Sequence, residues 1–235
     1  MFIVNKKGFP IMGDRINQKA KHIHMDRPER DTFVKNYPVQ NFGYNFNSWG
    51  FRGFDYEKFL GKKVYICLGD SALVNIGGPI EHSWSSILEE HLDYPVLNFG
   101  MIMAGNDAIN KLYKTLVDLF DIQDIFVQYS FLHRRIVNGQ FDQVVVENHE
   151  NLNFFLENRI NDSIECAVPA TMHKWEERLF LQSNNIFTYN DEYDKTFEKT
   201  SQVLTNRDGL HFSKRINQLY ADYLHKEWII KRNLC

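Results

Sequence analysis

Cysteine, proline and long apolar runs are all scarce in this sequence. Its 235 residues include 6 prolines and 3 cysteines, at positions 67, 166 and 235, and no Cys-x-x-Cys pair. The sequence therefore predicts neither a zinc site nor a disulfide framework, and free thiols favour a reducing compartment. The longest apolar run, Val64–Leu68, has five residues, against about 18 for a membrane-spanning helix. We expect no membrane span.

A secretory signal and an excess of positive charge are also lacking. No basic segment at the N-terminus precedes an apolar core of about 7–15 residues, so the sequence predicts a cytoplasmic protein. Lysine and arginine number 27, aspartate and glutamate 30, and the formal net charge is −3. Nucleic-acid-binding domains are usually basic, so we expect no nucleic-acid partner. A nucleotide-binding protein is disfavoured as well, because no glycine-rich loop suited to phosphates is present.

Aromatic residues, in contrast, are plentiful. They make up 14% of the chain, with 19 Phe, 11 Tyr and 4 Trp, and each buries a large area in a folded core. This composition excludes global disorder. Residues 1–60 show no sustained helical or strand period, and they predict an irregular N-terminal arm packed on a main domain that spans residues 61–235.

Beyond the arm, apolar segments of strand length alternate with amphipathic segments of helical period. The predicted strands are Val64–Leu68, Pro95–Gly100, Asp124–Tyr129, Ile164–Val168 and Asn185–Tyr189. The predicted helices are Ser83–His91, a segment starting at Asn106-Asp107, 145–160, Met172–Gln182 and Ser213–Ile230. This alternation predicts a mostly parallel five-stranded sheet with helices on both faces, a three-layer α/β/α fold. Ligands of such sheets bind beyond the carboxyl ends of the strands.

Three polar segments follow predicted strands or precede the last helix. The first segment is Gly-Asp-Ser, which ends at Ser71 directly after the first strand. The second is the loop Asn98–Asn106 after the second strand, and the third contains Asp208 three residues before His211. A serine hydroxyl needs a base within hydrogen-bond reach to become a nucleophile, and histidine is the usual base because its pKa lies near neutrality. A carboxylate then orients the imidazole. Ser71, His211 and Asp208 are therefore the candidate catalytic residues.

These motifs resemble those of the SGNH/GDSL hydrolases. Gly-Asp-Ser at Ser71 resembles the nucleophile motif of that family, and Asp208-x-x-His211 resembles its final motif. Asn47–Gly53 is similar to a stretch found upstream of the nucleophile, and Asn98–Ile109 is similar to the second motif in a longer form that recurs in phage-associated and viral relatives. The resemblance implies a flavodoxin-like fold and serine esterase chemistry, and it allows a virus-encoded origin.

The sequence departs from the family pattern at two places. Alignment on Asn98 and Asn106 puts Met103 where the family has the glycine that binds the oxyanion, and Gly105 at a serine position; the backbone N–H of either residue is a candidate donor. The third motif normally supplies an asparagine after the third strand, and here that place falls near Leu132. Arg134 is the favoured replacement donor, with His133 and Arg135 as alternatives. Substitution of Leu132 by asparagine is expected to restore a missing donor.

Other polar residues have simpler structural explanations. Asp70 is expected to hold the loop before Ser71 through backbone hydrogen bonds. Asn106 and Asp107 are expected to cap the helix that they begin, and Asn106 is also a candidate at the substrate site. Arg52 is expected to pack the arm against the main domain rather than to bind a substrate anion.

The sequence thus predicts a serine-dependent ester hydrolase. It would form an acyl-enzyme on Ser71, need no metal or organic cofactor, and act on a small-molecule or glycan ester with a small acyl group such as acetyl. An alternative is a catalytically weak or inactive module of the same fold that binds a glycan or a glycan-bearing partner, which the two departures favour. Acyl transfer in place of hydrolysis is a third hypothesis, since it depends on how well the site excludes water.

Overall fold

The computed structural model describes residues 2–13, 15–20, 42–143, 148–167, 187–188 and 213–234. The helices in these ranges are α1 (Ser71–Val74), α2 (Trp84–Glu89), α3 (Asn106–Leu116), α4 (Asn148–Asn158) and α5 (Lys214–Leu234). The strands are β1 (Ile3–Val4), β2 (Pro10–Ile11), β3 (Lys19–Ala20), β4 (Tyr44–Asn45), β5 (Lys63–Gly69), β6 (Val96–Gly100), β7 (Asp121–Tyr129), β8 (Arg134–Val137), β9 (Gln140–Gln143), β10 (Ile164–Ala167) and β11 (Phe187–Thr188). The predicted helix Met172–Gln182 and the candidates Asp208 and His211 lie outside the described residues.

The central sheet has five strands in the order β11-β10-β7-β5-β6, and every pair in it is parallel. When these strands are renumbered along the chain, the order is 2-1-3-4-5, which is that of flavodoxin-like folds. The order reverses beside β5, because β6 lies on one side of it and β7 on the other. The predicted fold class is confirmed, and β5 lies at the switch point where such sheets bind ligands.

Both faces of the sheet are covered, so β5 is apolar at consecutive positions instead of alternating ones. Val64, Ile66 and Leu68 face a core shared with α3 and α4, whereas Tyr65 and Cys67 face a second core shared with α2 and α5. All five are at most 1% exposed. These two cores on opposite sides of one sheet make the three layers.

Helices α2 and α5 follow the predicted pattern closely. Ser83 caps α2 by accepting the backbone N–H of Ser86, and Trp84, Ile87 and Leu88 are buried as expected. The buried residues of α5 include Ile216, Tyr220 and Leu224, which the predicted helix also placed inward. None of the helices in the described ranges is long and apolar enough to cross a membrane.

The described parts of the N-terminal segment join the core on the α3 side. Trp49, Phe51 and Tyr56 are each 1% exposed, and they pack around Phe99 of β6 with ring centroids 4.7–6.4 Å from it. The segment also forms two short antiparallel pairs, β1 with β2 and β3 with β4. Its residues therefore contribute buried aromatic area to the main core.

The hairpin of β8 and β9 was not predicted from the sequence. Its strands pair antiparallel from Arg134–Gln143 to Val137–Gln140, and Asn138 and Gly139 form the two-residue turn with φ of 49° and 78°. Positive φ at both positions is a type I′ turn, for which Asn-Gly is a favoured sequence. The hairpin follows β7 and brings Arg134 to the carboxyl edge of the central sheet.

Candidate active site

Ser71 is placed at the carboxyl end of β5, as the first residue of the single-turn helix α1. Asp70 precedes the helix, and its Oδ1 accepts the backbone N–H of Ala72 at 2.9 Å. This contact confirms the expected structural role of Asp70. Ser71 is 5% exposed, so the serine lies in a confined position at the switch point of the sheet.

Two glycines allow α1 to lie directly against the strand ends. A Cβ on Gly100 would meet the backbone nitrogen of Val74 at 2.7 Å, and a Cβ on Gly69 would meet the side chains of Leu73 and Gln128 at 3.0–3.2 Å. A side chain at Gly100 would therefore push the α1 backbone away from β6. The close approach places Ser71 between the loops that follow β6 and β7.

A buried ion pair joins the serine loop to the loop after β7. Nη1 of Arg134 donates to Oδ2 of Asp70 at 2.8 Å and to Oγ of Ser130 at 3.1 Å. The Ser130 hydroxyl donates to the same Asp70 oxygen at 2.8 Å. The side chains of Asp70 and Arg134 are 2% and 12% exposed. Sequence reasoning missed Ser130, although its place directly after β7 was the available signal.

Asn106 joins this network to the loop after β6. Its Oδ1 accepts the backbone N–H of Ser130 at 2.9 Å, and its Nδ2 donates to the Ser130 carbonyl at 3.2 Å. The expectation that Asn106 caps α3 is therefore wrong, since Gly105 is the N-cap residue and makes no side-chain hydrogen bond. Asp107 accepts the backbone N–H of Ala108 in the first turn of α3, and also that of Ile136 in β8 at 2.7 Å. Asn106 and Asp107 thus connect the start of α3 to Ser130 and to β8.

Gly105 packs against the backbone of the hairpin. It is buried, and a Cβ there would lie 2.3 Å from the Arg134 carbonyl oxygen. Only glycine permits this contact, because a side chain would overlap the carbonyl group. The loop after β6 and the start of β8 therefore touch through their main chains.

Met103 occupies a backbone conformation that suits glycine. Its φ is 62°, and Ala104 donates its N–H to the carbonyl of Met101, so Met103 is the third residue of a turn. Glycine is favoured there in type II turns, because φ is positive. The N–H of Met101 bonds the Gly69 carbonyl at 3.0 Å, which ties the turn to β5. The Met103 residue is 40% exposed.

The side chain of Asn98 connects β6 to α1 and α2 and uses both of its amide hydrogens in doing so. Its Nδ2 donates to the Leu73 carbonyl at 3.0 Å and to Ser85 Oγ at 2.7 Å, and its Oδ1 accepts the N–H of Gly100 at 3.0 Å. The hydroxyl of Tyr56 donates to its carbonyl, and burial raises the Tyr56 pKa well above its ordinary value. These groups hold the strand ends beneath Ser71.

Arg52 packs the N-terminal segment against the chain that follows α1, as expected. Its guanidinium donates to the carbonyls of Val74, Asn75 and Gly78 at 2.7–2.9 Å and to that of Gly43 at 3.3 Å. The residue is 2% exposed. A structural role accounts for these contacts, and none of them addresses a substrate anion.

The other residues considered at the place of the third-motif asparagine point in different directions. Arg135 donates to Oδ1 of Asn151 at 3.0 Å and lies over the ring of Phe154, so it is turned toward α4. His133 stacks on Phe131, with ring centroids 5.7 Å apart. Leu132 is 2% exposed in the apolar core. An asparagine there would bury its amide in that core, which argues against the expectation that it restores a donor.

No protein-family model matches the chain, and no curated protein sequence matches it. Among solved structures it is similar to a G-D-S-L family lipolytic protein from Desulfitobacterium hafniense, with 15% identity, 69% of this chain and 98% of that chain covered, and a TM-score of 0.44. It is also similar to a lipase/acylhydrolase from Enterococcus faecalis, with 14% identity, 70% of this chain and 94% of that chain covered, and a TM-score of 0.43. A third similar structure is a two-domain esterase active on acetylated mannans, with 9% identity, 74% of this chain and 50% of that chain covered, and a TM-score of 0.48. These structural neighbours are lipolytic proteins and esterases.

The first turn of helix α5 reaches the end of α1. Asn217 donates through Nδ2 to Oδ1 of Asn75 at 3.0 Å, and Asn75 is the residue that ends α1, with a φ of 55°. Ser213 is 3% exposed at the start of α5. Sequence reasoning missed Asn75, whose signal was the turn-rich stretch that runs from Asn75 to Pro79. The start of α5 thus lies beside the end of α1.

Proposed function

We propose that this chain is a serine-dependent ester hydrolase with Ser71 as its nucleophile, His211 as the general base and Asp208 as the residue that orients the imidazole. The observation that carries the proposal is the place of Ser71, which begins a buried one-turn helix at the carboxyl end of β5, at the switch point of the sheet. We further propose a small acyl group such as acetyl, carried by a small-molecule or carbohydrate alcohol.

In the proposed reaction, Oγ of Ser71 attacks the ester carbonyl while His211 takes the hydroxyl proton. The tetrahedral intermediate collapses to an acyl-enzyme, and His211 returns that proton to the leaving alcohol. Water then attacks the acyl group, His211 takes its proton, and the carboxylic acid leaves as Ser71 regains its hydrogen. No metal or organic cofactor takes part in these steps.

The proposed oxyanion donors are the backbone N–H groups of Ser71 and Met103. Met103 is favoured over Gly105 because Met103 lies on the exposed side of its turn, whereas Gly105 is buried against the Arg134 carbonyl. The Asn106 side chain supports this loop through its two hydrogen bonds with Ser130. Backbone donors held in this way need no reorganisation as charge develops on the carbonyl oxygen.

The contact between α5 and α1 supports the proposed base. Asn217 bonds Asn75, four residues after Ser71 in the chain. His211 precedes Ser213 by two residues, a Cα separation of at most about 7 Å. The proposed base therefore precedes the start of α5 by only a few residues in the chain.

The proposal predicts that a fluorophosphonate probe labels Ser71 and no other serine. We expect one adduct per chain by intact-mass spectrometry, and none for Ser71→Ala, because this substitution removes the nucleophile and little buried volume. His211→Ala should slow labelling by about 10² or more, since the hydroxyl then has no base. Ser163→Ala is the matched control; its hydroxyl donates to the Ile160 carbonyl at 2.8 Å, and it should label like the wild type.

A glycan-binding module with little catalysis is the second candidate. Ser71 is 5% exposed, and the Met103 side chain stands where the resemblance places a glycine. Both observations favour a narrow approach to the nucleophile. A folded wild-type protein that forms no adduct during long exposure to the probe would support this alternative, and glycan binding would then be the property to measure.

A further inference from the structure

We propose that Arg134 is a positioning residue for Ser71, which acts by neutralising and fixing the carboxylate of Asp70. This inference rests on the proposed function, because it assigns a role relative to the nucleophile. It differs from the sequence-based expectation that Arg134 donates directly to the oxyanion. The difference lies in the partner of the guanidinium, which is a protein carboxylate next to the nucleophile in the chain.

The contacts of Asp70 show how the effect would be transmitted. One carboxylate oxygen accepts the Ala72 N–H at 2.9 Å and so sets the start of α1, while the other accepts from Ser130 Oγ and Arg134 Nη1, each at 2.8 Å. A displaced carboxylate would release the first turn of α1, whose first residue is Ser71. Arg134 therefore controls the helix start through a chain of only two contacts.

Charge gives a second reason for the arginine. The Asp70 side chain is 2% exposed, and a buried carboxylate is costly unless it is paired. Asp70 and Ser71 are neighbours, with Cα atoms about 3.8 Å apart. An unpaired negative charge there would oppose the negative charge that develops on the substrate oxygen. Pairing with Arg134 removes this opposition.

The main chain of Arg134 also contacts the loop that holds the proposed oxyanion donor. Its carbonyl oxygen lies only 2.3 Å from where a Cβ on Gly105 would be. Asn106, the next residue, forms two hydrogen bonds with Ser130. The same residue thus meets the serine loop with its side chain and the Met103 loop with its backbone. This arrangement fixes the distance between nucleophile and oxyanion donor.

A double-mutant cycle tests the proposal. The variants are Arg134→Met, Asp70→Asn and their combination, and the measurements are the rate of fluorophosphonate labelling at Ser71 and the thermal midpoint of the full chain. Asp70→Asn keeps an oxygen for the Ala72 N–H while it removes the charge. Arg159→Met is the matched control, because Arg159 forms another partly buried ion pair, with Glu165, away from Ser71.

We expect Arg134→Met to slow labelling by about tenfold or more, and the double variant to be no slower than Arg134→Met alone, because coupled residues do not act additively. The double variant should also have a higher thermal midpoint than Arg134→Met, since the buried charge is gone. Arg159→Met should lower the midpoint and leave the labelling rate within about twofold of wild type. Arg134→Lys, which keeps the charge, should recover most of the rate and serves if Arg134→Met fails to fold.

Two results would overturn the inference while the proposed function stands. One is a reactive wild type in which the losses from Arg134→Met and Asp70→Asn multiply, as expected for a direct oxyanion donor. The other is an Arg134→Met variant that labels at the wild-type rate. A folded wild type that never labels would overturn the proposed function itself, and the positioning role with it.

Discussion

Among the residues around Ser71, Met103 has a backbone conformation that its side chain disfavours. Its φ of 62° suits glycine. For most other residues, this left-handed conformation costs about 1 kcal/mol or more. The turn is nevertheless fixed, because the Met101 N–H bonds the Gly69 carbonyl and the Ala104 N–H bonds that of Met101. These hydrogen bonds therefore impose the positive φ on Met103, which is 40% exposed.

Substitution Met103→Gly should consequently raise reactivity without a loss of stability. Relief of the strained φ offsets the greater chain entropy of glycine, so we expect the free energy of unfolding to change by no more than about 1 kcal/mol. Removal of the side chain opens the approach to the backbone N–H, and labelling by the fluorophosphonate should accelerate by about threefold or more. Labelling kinetics and chemical denaturation measure the two effects.

Asn138→Gly is the control for the backbone part of that prediction. Asn138 also has a positive φ, 49°, but it lies in the exposed turn of the β8–β9 hairpin. This variant should show the same small change in stability and an unchanged labelling rate. Slower labelling of the Met103→Gly variant would mean that the methionine side chain contributes to probe binding, and the crowding argument would be wrong.

Single residues were predictable where one neighbour in the sequence decides their role. Asp70 was expected to bond the backbone of its own loop and does so. Arg52 was also expected to pack, but its partners lie 22 to 26 positions away and could not be named from the sequence. The hydrogen bond between Ser130 and Asp70 was not predictable, although the place of Ser130 after β7 was an available signal, because this contact joins residues 60 positions apart. Leu132 was misjudged for the same reason, since its burial depends on a core built from distant segments.

At the scale of elements, the β8–β9 hairpin and the start of α3 form one unit through Gly105. A methyl group at this residue would overlap the Arg134 carbonyl oxygen at 2.3 Å. Gly105→Ala should therefore push the hairpin from α3, with a loss of about 1–3 kcal/mol in the free energy of unfolding, as for other overpacked sites. We also expect slower labelling of Ser71, because the displaced hairpin carries Arg134, which pairs with Asp70 beside Ser71.

Gly13→Ala provides the matched comparison for Gly105→Ala. A Cβ on Gly13 meets nothing within 4 Å, and its φ is not positive. The unfolding free energy should change by less than about 0.5 kcal/mol, as is usual at open surface sites. Equal destabilisation by the two variants would show that the close contact at Gly105 relaxes without cost.

Elements were predictable where their pattern is repeated and local. β5 was evident because five consecutive apolar residues suit a strand buried on both faces. The β8–β9 hairpin was missed, although Asn138-Gly139 is a strong turn signal, because its flanking residues Arg134–Val137 are only half-buried and do not alternate. The short helix α1 offered no period to detect, since it has a single turn.

For the whole molecule, the packing of α2 against α5 makes stability sensitive to mild acid. The His225 ring stacks on His91 at 4.9 Å and on Trp228 at 5.8 Å. Burial lowers the His225 pKa below 6.5, and the nearby His91 lowers it further, whereas Asp222 opposes the shift. The unfolded chain then takes up a proton at a higher pH than the folded chain, so stability should fall as the pH drops below about 6.5.

His225→Phe should weaken this dependence, because phenylalanine keeps the stacked ring and cannot bind a proton. Between pH 7 and pH 5 the thermal midpoint of the variant should fall less than that of the wild type. Some dependence will remain, since burial also lowers the pKa of His82. At pH 8 these histidines are neutral, so the difference in thermal midpoint between the wild type and His225→Phe at that pH measures the packing effect alone. Parallel curves for the two proteins would contradict the assignment to His225.

The hydrogen bonds between Arg52 and the chain at the end of α1 affect where this fold can be divided. Its guanidinium satisfies three carbonyls from Val74 to Gly78, and Trp49, Phe51 and Tyr56 fill the core beside it. A fragment that began at residue 61 would lack these rings and the guanidinium, which would leave a cavity in the core and three carbonyl groups near α1 without this donor. Exchange of the leading segment would therefore have to include the loop whose carbonyl groups Arg52 binds.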